Sequence, residues 1–80
     1  MAVPEIMLLL DRFISGADIS LKLANRLGVL LDDSFPDDDY LQETVEILAS
    51  YRPEGGEWVL GTETVQRRLV ETKAYLSRHH

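Results

Sequence analysis

Residues Asp32–Glu57 read DDSFPDDDYLQETVEILASYRPEGGE. Within this stretch Ser34-Phe35-Pro36-Asp37 is a helix start signal. Ser34 and Asp37 have capping-box spacing, and Asp37, Asp38 and Asp39 suit the positive end of a helix. Leu41, Thr44, Val45, Leu48 and Tyr51 then share one helical face, which Ile47 and Ala49 broaden, while Glu43 and Glu46 project elsewhere. Arg52-Pro53 stops the pattern, because a residue before proline is pushed out of the α region. Glu54-Gly55-Gly56-Glu57 is a turn cluster. The spacing thus predicts a helix over about 36–51, closed at both ends.

On the N-terminal side two further helices are expected. Leu23, Ala24, Leu27, Leu30 and Leu31 line one face of a helix over about 20–31, capped by Asp18 or Ser20. Its end is placed near Leu31, since Asp32-Asp33 would face the negative end of the helix dipole. Gly28 within it offers a close approach to the first helix. That first helix spans about 4–15, with Pro4 in its opening turn and Ser15-Gly16 at its end. Its stripe is Ile6, Leu9, Leu10 and Phe13. On the C-terminal side Trp58, Val59 and Leu60 form an apolar patch inside the longest connection, and Trp58 is expected to seal one end of the core. A last helix over about 62–78 carries Val65, Leu69, Thr72 and Leu76 inward, with Arg67, Arg68, Lys73 and Arg78 facing water.

No segment alternates with period two, and no repeat is present. The eighty residues therefore read as one all-α domain, a small four-helix bundle with a long loop between helices three and four.

Charge is distributed unevenly. The stretch Asp32–Glu57 holds nine acids against the single base Arg52, a formal −8 in a chain whose total is −6. The remainder is nearly balanced, with five acids and seven bases. Like charges this close destabilise the compact state, so an acidic third is either a solubilising face or a field used on something outside. It disfavours nucleic acid and anionic membrane as direct partners and favours a basic one.

Several chemistries are excluded. With no cysteine and no internal histidine, the usual nucleophile–base pairs cannot be built. His79 and His80 end the chain and read as a natural tail or the start of a tag, in neither case catalytic. Phe35-Pro36 breaks the spacing a calcium loop needs, and no central glycine is available. Gly55-Gly56 opens no phosphate-binding helix. Neither a metal nor a cofactor is expected, and no enzyme activity. The apolar run Ile6–Leu10 is too short to span a membrane and has no basic residue before it, so it does not read as a secretory signal. A cytoplasmic protein is expected.

Two motifs carry a family resemblance. One is Arg12-Phe13-Ile14-Ser15-Gly16 followed by Ile19-Ser20; the other is an acidic helix ending in Ala49-Ser50-Tyr51-Arg52-Pro53-Glu54, then a polar loop and a helix bearing Arg67-Arg68-Leu69. Together, over about Leu8 to Leu76, they resemble the small bacterial immunity proteins related to the colicin D immunity protein. The resemblance implies a four-helix protein that binds a ribonuclease toxin domain in the producing cell and blocks its basic cleft in place of the nucleic acid. It implies that Tyr51 and Pro53 belong to the Tyr-x-Pro motif and that Glu54 is the acid presented to the toxin. Two positions depart from the pattern. Ala49 stands where an acid is expected, with Glu46 one turn earlier, and Leu23-Ala24 stand where a large aromatic is expected.

The candidate partner-binding residues are therefore Asp37, Asp38, Tyr40, Glu43, Glu46, Tyr51, Glu54 and Glu57. Tyr40, Tyr51 and Phe35, interleaved with the acids, are candidate anchors, although core packing is the favoured reading for Tyr51 and Phe35. The expected partner is a basic nuclease toxin domain, RNase or tRNase, bound by a monomer or weak dimer. Two alternatives stand beside it: an acidic nucleic-acid mimic that inhibits another nucleic-acid-binding protein, and a helical adaptor that self-associates through Trp58–Leu60.

Overall fold

The computed structural model describes residues 3–79; His80 of the terminal pair lies outside them. Four α-helices follow one another: α1 (Val3–Ser15), α2 (Leu21–Ser34), α3 (Asp39–Ala49) and α4 (Thr62–His79). Packing contacts run α1 to α2, α2 to α3, α3 to α4 and α4 back to α1, so the helices close a ring around one core.

The inward stripes follow their spacing, except that Leu9, Leu30 and Val45 are only half-buried at the edge of the core. Ile6, Leu10 and Phe13 of α1 are buried, as are Leu23, Ala24, Leu27 and Leu31 of α2. Leu41 and Leu48 of α3 and Val65, Leu69 and Leu76 of α4 complete the core. Residues three and four apart on a helix share a face, so each helix presents one apolar stripe. Gly16, at φ 84°, turns the chain after α1, and its N–H donates to the Phe13 carbonyl at 3.1 Å. The α1 end is also held by α4, where Gln66 donates from Nε2 to the Phe13 carbonyl at 3.1 Å.

The cap of α2 is Ser20, whose Oγ accepts from the Leu23 N–H at 3.1 Å. Asp18 supports that cap by accepting the Ser20 N–H at 3.0 Å. Bonding to Ser20, from side chain and backbone, holds the Asp18 carboxyl below its usual range, with Arg12 and Lys22 adding to the effect.

Both boundaries between α2 and α3 differ from expectation. α2 runs on to Ser34, three residues past Leu31. Asp32 and Asp33 are exposed, so water screens them from the dipole, and the Phe35 N–H closes the last turn on the Leu31 carbonyl at 2.9 Å. α3 starts at Asp39, not at residue 36, because the cap is Asp38 and not Ser34. The Asp38 carboxylate accepts from the Leu41 N–H at 3.0 Å. α3 also ends earlier, at Ala49, where Ser50 and Tyr51 tighten onto Ile47 and Leu48 carbonyls at 3.1 and 3.2 Å. Gly28 packs toward α3 rather than α1: a Cβ added there would meet Leu48 Cβ at 4.0 Å.

Candidate functional site

The sequence candidates separate into structural and displayed groups. Tyr51 follows its core-packing reading and leaves the partner-binding candidates. It is fully buried, so it has no surface to offer a partner. Its ring meets Phe13 edge-on at 5.1 Å between centroids. Its hydroxyl donates to the Ile19 carbonyl at 2.6 Å and lies 3.0 Å from Thr62 Oγ1. One side chain thus ties the end of α3 to the α1–α2 connection and to the start of α4.

Asp38 and Tyr40 are also engaged internally. Besides capping α3, the Asp38 carboxylate accepts from the Tyr75 hydroxyl at 2.6 Å. That bond, helped by partial desolvation, raises the Tyr75 phenol above its usual range, because the donor is lost on ionisation. Tyr40 stacks on Tyr75 with centroids 4.5 Å apart, and the Arg68 guanidinium lies 4.0 Å from the Tyr40 ring centre. His79 continues the stack, its ring 4.5 Å from Tyr75.

Arg68 departs from the water-facing position expected of it. Its side chain is only 15 % exposed. Its nitrogens donate to Thr44 Oγ1 at 3.1 Å, to the Tyr40 carbonyl at 3.0 Å and to Glu43 at 3.1 Å. Thr44 and Thr72, both buried, meet at 3.2 Å beneath it. The seam between α3 and α4 is therefore a hydrogen-bonded network rather than an apolar one.

The displayed acids are Asp37, Glu43, Glu46, Glu54 and Glu57, all exposed. Asp39, Glu43 and Glu46 recur at helical spacing on the side of α3 opposite Leu41, Thr44 and Leu48. Glu54 and Glu57 stand on the connection formed by residues 50–61. Its base is pinned: the Leu60 N–H donates to the Ser50 carbonyl at 2.9 Å and the Arg52 N–H to the Leu60 carbonyl at 3.0 Å.

The ion pairs show where charge is left over. Among the described residues there are four: Arg26–Glu5 at 2.9 Å, Arg67–Glu63 at 3.0 Å, Lys73–Asp11 at 2.6 Å and Arg68–Glu43 at 3.1 Å. Three of them neutralise acids outside Asp32–Glu57, and the fourth engages Glu43 within it. Arg52, the stretch's own base, donates instead to the Tyr51 and Ala49 carbonyls at 2.6 and 3.3 Å. Three bases thus serve the balanced part, and Glu46, Glu54 and Glu57 have no ion pair among the described residues.

Trp58 overturns its expected role. It is 97 % exposed and seals nothing. It also holds φ at 65°, the one non-glycine residue with positive φ among those described. A bulky side chain rarely adopts that region. The core closure expected of it is made by Tyr51. Trp58, Val59 and Leu60 face Glu43, Glu46 and Ile47 of α3 across an open cleft. Burial of Tyr51 was legible in the α3 stripe, but no pattern in the chain signals an outward Trp58.

Among the described residues no group of His, Asp and Glu is placed to hold a metal ion, and no helix is long and apolar enough to cross a membrane. Comparison of the chain with protein-family models, with curated proteins and with solved structures finds no match.

Proposed function

We propose that this chain is an immunity protein: it binds a basic nuclease toxin domain, an RNase or tRNase, and covers its active-site cleft with an acidic surface. The observation that carries the reading is the placement of ion pairs. Three of the five acids outside Asp32–Glu57 are matched by the chain's own bases, whereas Glu46, Glu54 and Glu57 are exposed and have no ion pair among the described residues. A cleft that binds phosphates is lined with Lys and Arg, and such carboxylates meet those groups in charge-assisted hydrogen bonds. Opposite fields also speed capture, which matters when the free partner is lethal to the cell that makes it. The resemblance of Tyr51-Arg52-Pro53-Glu54 and its surroundings to colicin D-type immunity proteins supports the same partner class. On this reading the protein acts in the cytoplasm of the producing cell and performs no chemistry of its own.

The test is protection. The chain is co-expressed with each basic nuclease domain found encoded beside it in its native host, and survival and nuclease inhibition are measured. The reading expects survival, with inhibition that weakens as salt rises. Inhibition of an unrelated nucleic-acid-binding protein, and none of a neighbouring nuclease, would favour the wider mimic reading instead. Exposed Trp58 gives the self-associating adaptor one observation in its favour. Sedimentation decides that case, because an adaptor forms a stable oligomer that buries Trp58.

A further inference from the structure

The cleft between α3 and the 50–61 connection has a definite chemical character. Its volume is about 400 Å³; Ile47, Val59 and Leu60 line it, as does Trp58, whose indole is left open to solvent. Glu43 and Glu46 supply its charged edge. The Arg68 ion pair engages Oε1 of Glu43, whose side chain is still 65 % exposed, and Glu46 has no ion pair. An exposed tryptophan and two carboxylates that line one cleft suit a cation carried on an apolar stem.

We propose that this cleft receives an arginine side chain of the basic partner, its guanidinium stacked on the Trp58 indole and hydrogen-bonded to Glu46 and Glu43. The inference rests on the reading of the acidic surface as a partner surface and names the point at which the partner is anchored. Charge selects this occupant. A second copy of the chain would bring another −6 to the same acids, and nucleic acid would be repelled by them. A neutral apolar ligand would leave the carboxylates unused. Arginine is preferred to lysine because its plane both stacks on an aromatic face and forks to carboxylates. Trp58 then has a use for its exposure: a rigid aromatic at the centre of an interface is the commonest kind of binding hot spot.

Trp58 is the sole tryptophan, so its emission reports on the site directly. The probe is an amidated hexa-arginine peptide, with hexa-lysine and hexa-glutamine as comparators, titrated into the full chain at low salt. Affinity is read in parallel by calorimetry. Hexa-arginine should change Trp58 emission saturably and bind more tightly than hexa-lysine, and hexa-glutamine should do neither. Trp58→Ala should lose about fivefold in affinity for hexa-arginine, the equivalent of one exposed cation–π contact. Glu46→Gln should weaken binding more than Glu63→Gln, which removes the same charge from α4. Binding of hexa-arginine without a Trp58 response, and with full affinity in Trp58→Ala, would overturn the anchor and leave the acidic-surface reading standing. No binding of hexa-arginine would overturn the anchor outright, while protection against the nuclease tests the wider reading by itself. A Trp58 response caused by self-association, seen as a peptide-independent oligomer in sedimentation, would also overturn it.

Discussion

Arg68 of α4 reaches Glu43 of α3 at 3.1 Å, an ion pair that ties α4 to the acidic stretch. The same guanidinium bonds Thr44 and the Tyr40 carbonyl and covers the Tyr40 ring, so its main service is to the seam between two helices. Removing it would take three hydrogen bonds and the cover of the Tyr40 ring from a part-buried seam, whereas removing Arg67 would break only an exposed pair. Arg68→Ala should lower unfolding free energy by about 2 kcal/mol, and Arg67→Ala by less than about 0.5 kcal/mol, in urea denaturation. Equal losses would mean that Arg68 is an ordinary surface charge.

Tyr51→Phe separates packing from recognition. The ring stays, but the Ile19 carbonyl loses its 2.6 Å donor. The expected cost is about 1–2 kcal/mol of stability, with binding to the basic partner unchanged. Unaltered stability with lost binding would return Tyr51 to the partner surface.

Gly28→Ala should stabilise the protein by roughly 1 kcal/mol, the helix-propensity difference. The new methyl would sit at ordinary contact distance, 4.0 Å, from Leu48 Cβ. Thermal unfolding checks this, and a lower midpoint would show that α2 and α3 cannot accommodate a Cβ between them.

Trp58→Asn tests whether exposure and strain at this position serve binding. Asparagine tolerates positive φ, and a 97 % exposed indole has almost no burial to lose. Stability should rise, by up to about 1 kcal/mol, while affinity for the basic partner falls. A gain in stability without any loss of affinity would leave the exposed indole without a role.

Stability at the extremes of pH should follow two groups. Asp18 is held below its ordinary range, so its contribution is present above the unfolded value and is lost as pH falls through the folded one. Tyr75 is held above its ordinary range, so its contribution is present below the unfolded value and is lost as pH rises through the folded one. Asp18→Asn should therefore unfold more easily than the parent at neutral pH and equally easily in strong acid. Tyr75→Phe should unfold more easily at neutral pH and lose that difference in strong alkali. Melting midpoints across pH read both.

The core was legible because its signal is periodic. Ile6, Leu10 and Phe13, or Val65, Leu69, Thr72 and Leu76, can share a face in only one regular structure. The α2–α3 boundary was not, because Ser34 and Asp38 are both competent caps and their competition is settled by tertiary partners such as Tyr75. Arg68 looks like its neighbour Arg67 in the chain, and only the rings and hydroxyls of α3 and α4 draw it inward. Trp58 was misplaced for a related reason: whether a loop aromatic is buried depends on the loop's path, and residues 50–61 carry it away from the core. The displayed acids were legible as composition, but the absence of ion pairs at Glu46, Glu54 and Glu57 among the described residues was not.

Charge reversal measures the central claim most directly. Glu46→Lys with Glu54→Lys is compared with Glu63→Lys in protection against the nuclease toxin domain of the proposed function, with helicity followed by circular dichroism. The account predicts that the double reversal abolishes protection at unchanged helicity and that Glu63→Lys keeps it. Full protection by the helical double variant would contradict it.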